Sequence, residues 1–176
     1  MIAIYKKELR AYFNSMIGWM FLAFFFLGIG FYHATINLLQ GYGLLTYALT
    51  SVTIIIILII PIFTMRIMAE EGRQKTDQLL YTSPVSIVQI VLGKFFAMAT
   101  IFAIGVAVLA LYPLTMMPYG DVVFVQAYVS LAGFFLMGCV YMAIGMFISS
   151  LTTSQILAAV ITIGVFLFSF FSGSVA

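Results

Sequence analysis

Residues 66–94 read RIMAEEGRQKTDQLLYTSPVSIVQIVLGK, and they carry seven of the twelve charged residues of a 176-residue chain. The tract follows an apolar run ending PIFTM and precedes another beginning FFAMATIFAIGVAV. Arg66, Glu70, Glu71, Arg73, Lys75 and Asp77 would each cost roughly 2.5 to 3.5 kcal/mol at a bilayer centre, so the six together forfeit roughly 15 to 20 kcal/mol. Ten Leu, Ile or Phe residues return only about 3 to 6 kcal/mol on the same scale. The tract is therefore a polar excursion between two membrane helices, lying in water or against a soluble partner.

The rest of the chain is apolar enough to need a membrane. It is 65% hydrophobic and 7% charged, with a mean hydropathy of +1.23, against a charged fraction of about 25% in soluble domains. A helix crossing a hydrocarbon core of about 30 Å needs roughly 20 apolar residues, and five runs of suitable length fall at 16–34, 47–68, 85–112, 122–151 and 155–171. The expected fold is an all-α integral membrane protein, a polytopic helical bundle over 16–176. In the second run the β-branched stretch SVTIIIILIIPIF would suggest a strand in a soluble protein, but only helices and closed barrels satisfy their backbone in lipid.

Charge distribution sets the orientation. Lys6, Lys7 and Arg10 precede the first run, and Arg66, Arg73, Lys75 and Lys94 surround the second connection, whereas the connections at 37–46 and 113–121 hold no Lys or Arg. By the positive-inside rule the N-terminus and the 69–84 loop are cytoplasmic. Five crossings from the inside put the C-terminus outside. The net charge of +2 points to no nucleic-acid partner.

The first fifteen residues are patterned as an amphipathic helix. Ile2, Tyr5, Leu9, Tyr12, Phe13 and Met16 share one stripe, and Lys6, Lys7, Arg10 and Asn14 flank it, as in a helix lying on anionic lipid. Lys6, Lys7 and Arg10 are the candidate membrane-surface anchor. His33-Ala34-Thr35 offers no small-residue cleavage pattern, so the first run is read as an uncleaved span. Trp19 and Tyr32 sit at its ends like an aromatic belt, and the single histidine, His33, is an interfacial polar residue rather than a metal ligand.

Further along, Pro61 predicts a kink two turns before the charged tract. Gly72 is expected to interrupt the helix, leaving Arg73 to Tyr81 as a short separate one with Leu79 and Leu80 as its apolar contacts. Ser83 with Pro84 reads as an N-cap and first turn, starting the next helix near Val85, with Lys94 snorkelling to the headgroups. Ala99, Ala103 and Ala107 form a ridge of small residues, as do Gly145 and Ser149. Pro113 and Pro118 end that helix, Asp121 is the expected cap of the fourth span, and Ser154 that of the fifth. The one cysteine, Cys139, reads as a small buried residue with no intrachain disulfide.

The sequence contains no sign of its own catalytic chemistry. Gly93-Lys94 lacks the glycines of a phosphate-binding loop, and neither HExxH nor GxSxG occurs. The spans carry no acid in their middle thirds, where proton and sodium relays place them. No catalytic or metal site is expected, and any ATP is bound by another chain.

RIMAEEGRQKTDQLLYTSPVSIVQIVLGKFFA resembles the cytoplasmic signature of the ABC-2 type transporter permeases, closest to their gliding-motility-associated branch. The likeness extends through MIAIYKKELRAYFNSMIG and GMFISSLTTSQILAAV, and so covers nearly the whole chain. It implies the membrane-spanning subunit of a dimeric exporter in the cell membrane, paired with a second permease subunit. It also implies an elbow helix over 1–15 and a short coupling helix seated in a separate ATPase subunit, which holds the ATP and Mg. Carried onto this sequence, the ATPase-facing candidates are Glu70, Glu71, Arg73, Lys75, Thr76, Asp77, Gln78, Leu79 and Leu80. Family members usually have six spans, and five appear here. The alternative reading is a non-transporting anchor whose loop recruits a motility or envelope assembly, and an ion-coupled carrier is the third.

Overall fold

Helix α1, Ile2–Asn14, is separated from helix α2, Met16–Tyr32, by Ser15 alone, whose extended backbone (φ −95°, ψ 153°) turns the chain. The corner is tight. A methyl group on Gly18 would come within 2.7 Å of the Tyr12 carbonyl oxygen, so backbone meets backbone where only glycine fits. Trp19 Nε1 closes the corner by donating to the Phe13 carbonyl at 2.9 Å.

The computed structural model describes residues 2–39, 45–74, 86–117, 123–152 and 154–175. After α2 a π-helical segment, His33–Leu39, prolongs the chain where the sequence predicts the start of a connection. Then come α3 (Leu45–Gln74), α4 (Ile87–Leu109), a short α5 (Tyr112–Met116), α6 (Phe124–Ser150) and α7 (Gln155–Val175). The described residues are nearly all helical and include no strand. Among the described residues, four helical stretches are long and apolar enough to cross a membrane: Gly18–Thr35, Ile87–Thr115, Phe124–Ser150 and Gln155–Ser172. The apolar part of α3 is Leu49–Met65, about 25 Å at 1.5 Å per residue.

Several boundaries differ from those the sequence predicts. Gly72 does not break α3, which continues to Gln74; interior glycine costs a helix only about 1 kcal/mol. Pro61, by contrast, lies inside α3, buried, as its place in the 47–68 run predicts. The start of α4 is capped not by Ser83 but by Ser86, whose side chain accepts from the Gln89 amide. Pro113 does not terminate a long span, since α4 ends at Leu109 and the proline sits in the first turn of α5. The residue before α6 is Val123, without a side-chain cap, and Asp121 lies outside the described residues. Ser154 directly precedes α7.

In lipid, apolar burial does not drive helices together, and close van der Waals packing must do so. An aromatic series supplies part of it: Tyr12 to Phe63 (4.8 Å between ring centroids), Phe63 to Phe21 (4.4 Å), Phe25 to Phe102 (5.6 Å) and Phe102 to Phe134 (5.9 Å). It ties α1, α3, α2, α4 and α6 into one core, each pair adding about 0.5–1.5 kcal/mol. Glycine supplies the rest. Gly138 on α6 lies against the Phe102 ring, Gly105 on α4 against Phe25, and Gly145 on α6 against Thr64 of α3. Beside that last crossing Ser149, buried, donates to the Met65 carbonyl at 3.1 Å, so the Gly145 and Ser149 pair is a helix contact. The alanine ridge is not: Ala99 is buried, Ala103 half-buried and Ala107 exposed.

The outward surface of the long helices is largely apolar, with Leu27, Phe31, Val129, Leu136, Phe147 and Phe168 all more than 60% exposed. A monomer in water does not tolerate so much contiguous apolar surface. Cys139 is half-buried in α6 rather than enclosed.

Candidate functional site

The site is built by helices of unequal reach. Phe21 and Phe25 of α2 meet Phe102 of α4, Phe25 lies against Gly105, and His33 Nε2 reaches Thr115 Oγ1 at 3.2 Å. The two helices thus run side by side in one direction, with Gly18 level with the residues around Met98. Residues 87–97 of α4 project past the start of α2, about 16 Å at 1.5 Å per residue.

Helix α3 runs the opposite way, since Phe63 meets Phe21 and Ile55 meets Gly28. It passes the start of α2 near Arg66, so its last nine residues project about 13 Å beyond it. Helix α6, aligned through Gly145 to Thr64 and Ser149 to Met65, ends at that level with Ser150, and α7 begins there. The two helices that overhang the bundle are therefore the two that bracket the charged tract.

Helix α1 lies across this end. Tyr5 and Tyr12 are seven residues apart, about 10 Å along the axis. Yet Tyr5 meets Thr100 at 3.0 Å and Tyr12 meets Phe63, positions at one level of the bundle. The helix is crosswise to the spans. Thr100 gives its own proton to the Phe96 carbonyl at 2.7 Å, so the Tyr5 hydroxyl is the donor between them. With Tyr5, Leu9, Tyr12 and Phe13 turned to the bundle, Lys6, Lys7 and Arg10 are left exposed on the outer face beside Ala3, Ala11 and Asn14.

Of the ATPase-facing candidates, Glu70, Glu71 and Arg73 fall in the last turns of α3. Lys75, Thr76, Asp77, Gln78, Leu79 and Leu80 lie outside the described residues. Lys94 differs from expectation. It does not snorkel; it is 1% exposed, on the face of α4 that also buries Ile90, Gly93 and Ala97. A buried ammonium has lost its water and must be held by polar partners, so Lys94 belongs to the internal structure of this end. No spacing in the sequence signals that. Ser86 was legible, because Ser86-Ile-Val-Gln89 has the serine-to-glutamine spacing of a capping box.

A smaller polar cluster sits at the opposite end. His33, 6% exposed, packs on the Tyr112 ring at 4.4 Å. Thr115 Oγ1 donates to the Tyr112 carbonyl at 2.7 Å, so it accepts from His33 and the imidazole proton is on Nε2. The cluster joins the π-helical segment His33–Leu39 to α5.

A family model described as ABC-2 family transporter protein matches residues 2–176 of this chain. No curated protein and no solved structure matches it.

Proposed function

The chain belongs to the ABC-2 transporter family, and on that footing we propose that it is the membrane-spanning permease subunit of an exporter driven by a separate ATPase. Membership implies a membrane-transport role and association with an ABC ATPase subunit. The resemblance of its charged tract to the gliding-motility-associated branch supports reading it as a member of that branch. Its working unit is a pair of permease subunits in the cell membrane, with the overhanging end in the cytoplasm. ATP and Mg are held by the partner, and this chain supplies no ATPase site.

The observation that carries this reading is the overhang: the tract most hostile to lipid is mounted on the two helices that reach farthest from the bundle. Two ATPase subunits closing on ATP push residues 70–80. Because α3 is one helix from Leu45 to Gln74, about 45 Å long, a push at its end is delivered along its whole length. The crossing at Thr64 and Gly145, beside the Ser149 to Met65 hydrogen bond, is the nearest fixed point. Lys6, Lys7 and Arg10 hold α1 against anionic headgroups meanwhile.

The Leu79→Asp, Leu80→Asp double variant tests this. It is expected to insert and fold normally while losing the ATPase subunit that co-purifies with the unmodified chain. Retention of the ATPase overturns the assignment of residues 70–80.

A further inference from the structure

We infer that α1 is a lever between α3 and α4, with the Tyr12 ring as its contact on α3 and the Tyr5 hydroxyl as its hold on α4. The inference rests on the permease reading above and adds two positioning residues outside the charged tract. Between α3 and α4 stands Phe21 of α2, 4.4 Å from the Phe63 ring and 6.4 Å from the Phe102 ring. Helices packed side by side move by sliding along one another, so an axial shift of α3 is partly lost at its contact with α2.

Helix α1 is crosswise to the spans and takes the same shift broadside. The Phe63 ring bears on the Tyr12 ring at 4.8 Å, and both are buried. In an interior packed this closely, one ring cannot advance without displacing the other. The far end of α1 is held by direction rather than by volume. Tyr5, about 10 Å along the axis from Tyr12, donates its hydroxyl proton to Thr100 Oγ1 at 3.0 Å, because Thr100 has committed its own to the Phe96 carbonyl. A hydrogen bond weakens steeply off its axis, so this one ties Tyr5 to a single register on α4.

A lever needs a pivot and a stiff arm. The pivot is the corner between α1 and α2, where Ser15 alone separates the helices, Gly18 packs against the Tyr12 carbonyl and Trp19 Nε1 holds the Phe13 carbonyl. The arm is the unbroken helix Ile2–Asn14, which contains neither glycine nor proline. Tyr12 lies beside the pivot and Tyr5 far from it, so a small displacement at Phe63 becomes a larger one at Thr100. Thr100 precedes by two residues Phe102, whose ring is seated on Gly138. The movement therefore enters α4 next to its crossing with α6.

The test measures spin-label distances in the full chain, in lipid nanodiscs with its co-purifying ATPase subunit and a Cys139→Ser background, without nucleotide and with Mg-ATP and vanadate. One pair, Val125→Cys with Ile62→Cys, follows α3 beside Phe63; the other, Val125→Cys with Gln89→Cys, follows the start of α4. Both distances are expected to shift with nucleotide. In Tyr5→Phe, which keeps the ring and deletes the hydroxyl, the α3 shift is expected to persist and the α4 shift to be lost. Thr100→Val is expected to do the same, and the double variant to do no more than either. An α4 shift that survives in Tyr5→Phe overturns the inference. So does the loss of both shifts, or of the folded chain, in both single variants, since the bond is then merely structural. With the ATPase bound, no shift at either position in the chain carrying only the labels overturns the lever and leaves the permease reading intact. No co-purifying ATPase removes both.

Discussion

At Gly145 the absence of a side chain is what lets two helices touch. A methyl group there would meet the Thr64 hydroxyl oxygen, and would lie 3.0 Å from Thr64 Cβ, which cannot swing aside. Gly145→Ala is therefore expected to lower stability by about 1–3 kcal/mol, the usual cost of overpacking. Adding Thr64→Ala, which removes the hydroxyl and methyl, recovers part of it; thermal unfolding of the four corners of this cycle in detergent measures the coupling. Ser149→Ala, which deletes the hydrogen bond to Met65, is expected to cost about 0.6 kcal/mol, the average for such bonds between membrane helices. Lys94 makes the contrasting point: its charge was visible in the sequence, but its burial was decided by what packs around α4.

At the scale of the element, α3 and α4 are set by where they end. The sequence predicts an interruption of α3 at Gly72, but each further residue adds a backbone hydrogen bond that offsets the cost of glycine, and α3 continues to Gln74. Gly72→Ala discriminates between the two: in a continuous helix it firms up the last turn, and amide exchange over 70–74 is expected to slow. If Gly72 were a break needing a left-handed backbone, alanine would speed it instead. At the other helix, Ser86→Ala removes the cap at a cost of about 1 kcal/mol, and exchange is expected to rise over 87–90 while 101–109 is unchanged. Helix α1 owes its pattern to sequence and its crosswise attachment to two tyrosines, Tyr5 on α4 and Tyr12 on α3.

For the whole molecule, unequal helix reach carries the ends of α3 and α4 beyond a bundle that is otherwise made for lipid. In a Cys139→Ser background, Gln89→Cys is expected to react readily with a membrane-impermeant maleimide from the side that bears α1. Leu136→Cys, on the outward face of α6 and 64% exposed, is expected to stay unlabelled until the bilayer is dissolved. Equal labelling of both positions would sink the alignment of α4 against α2.

The all-helical membrane fold followed from sequence because bilayer insertion is a sum over residues, and a sum needs no knowledge of neighbours: long apolar runs go in, and six charges in a row of twelve do not. Crosswise seating of α1 and the charged tract between the second and third long helices were legible for the same reason, through periodicity and charge. What only the tertiary structure decided is how the helices slide along one another. Register depends on which glycine receives which side chain, Gly105 taking Phe25 and Gly145 taking Thr64, and no property of either residue alone names its mate. That register makes α3 and α4 overhang, buries Lys94, and leaves Ile87 and Val88 exposed at the start of α4.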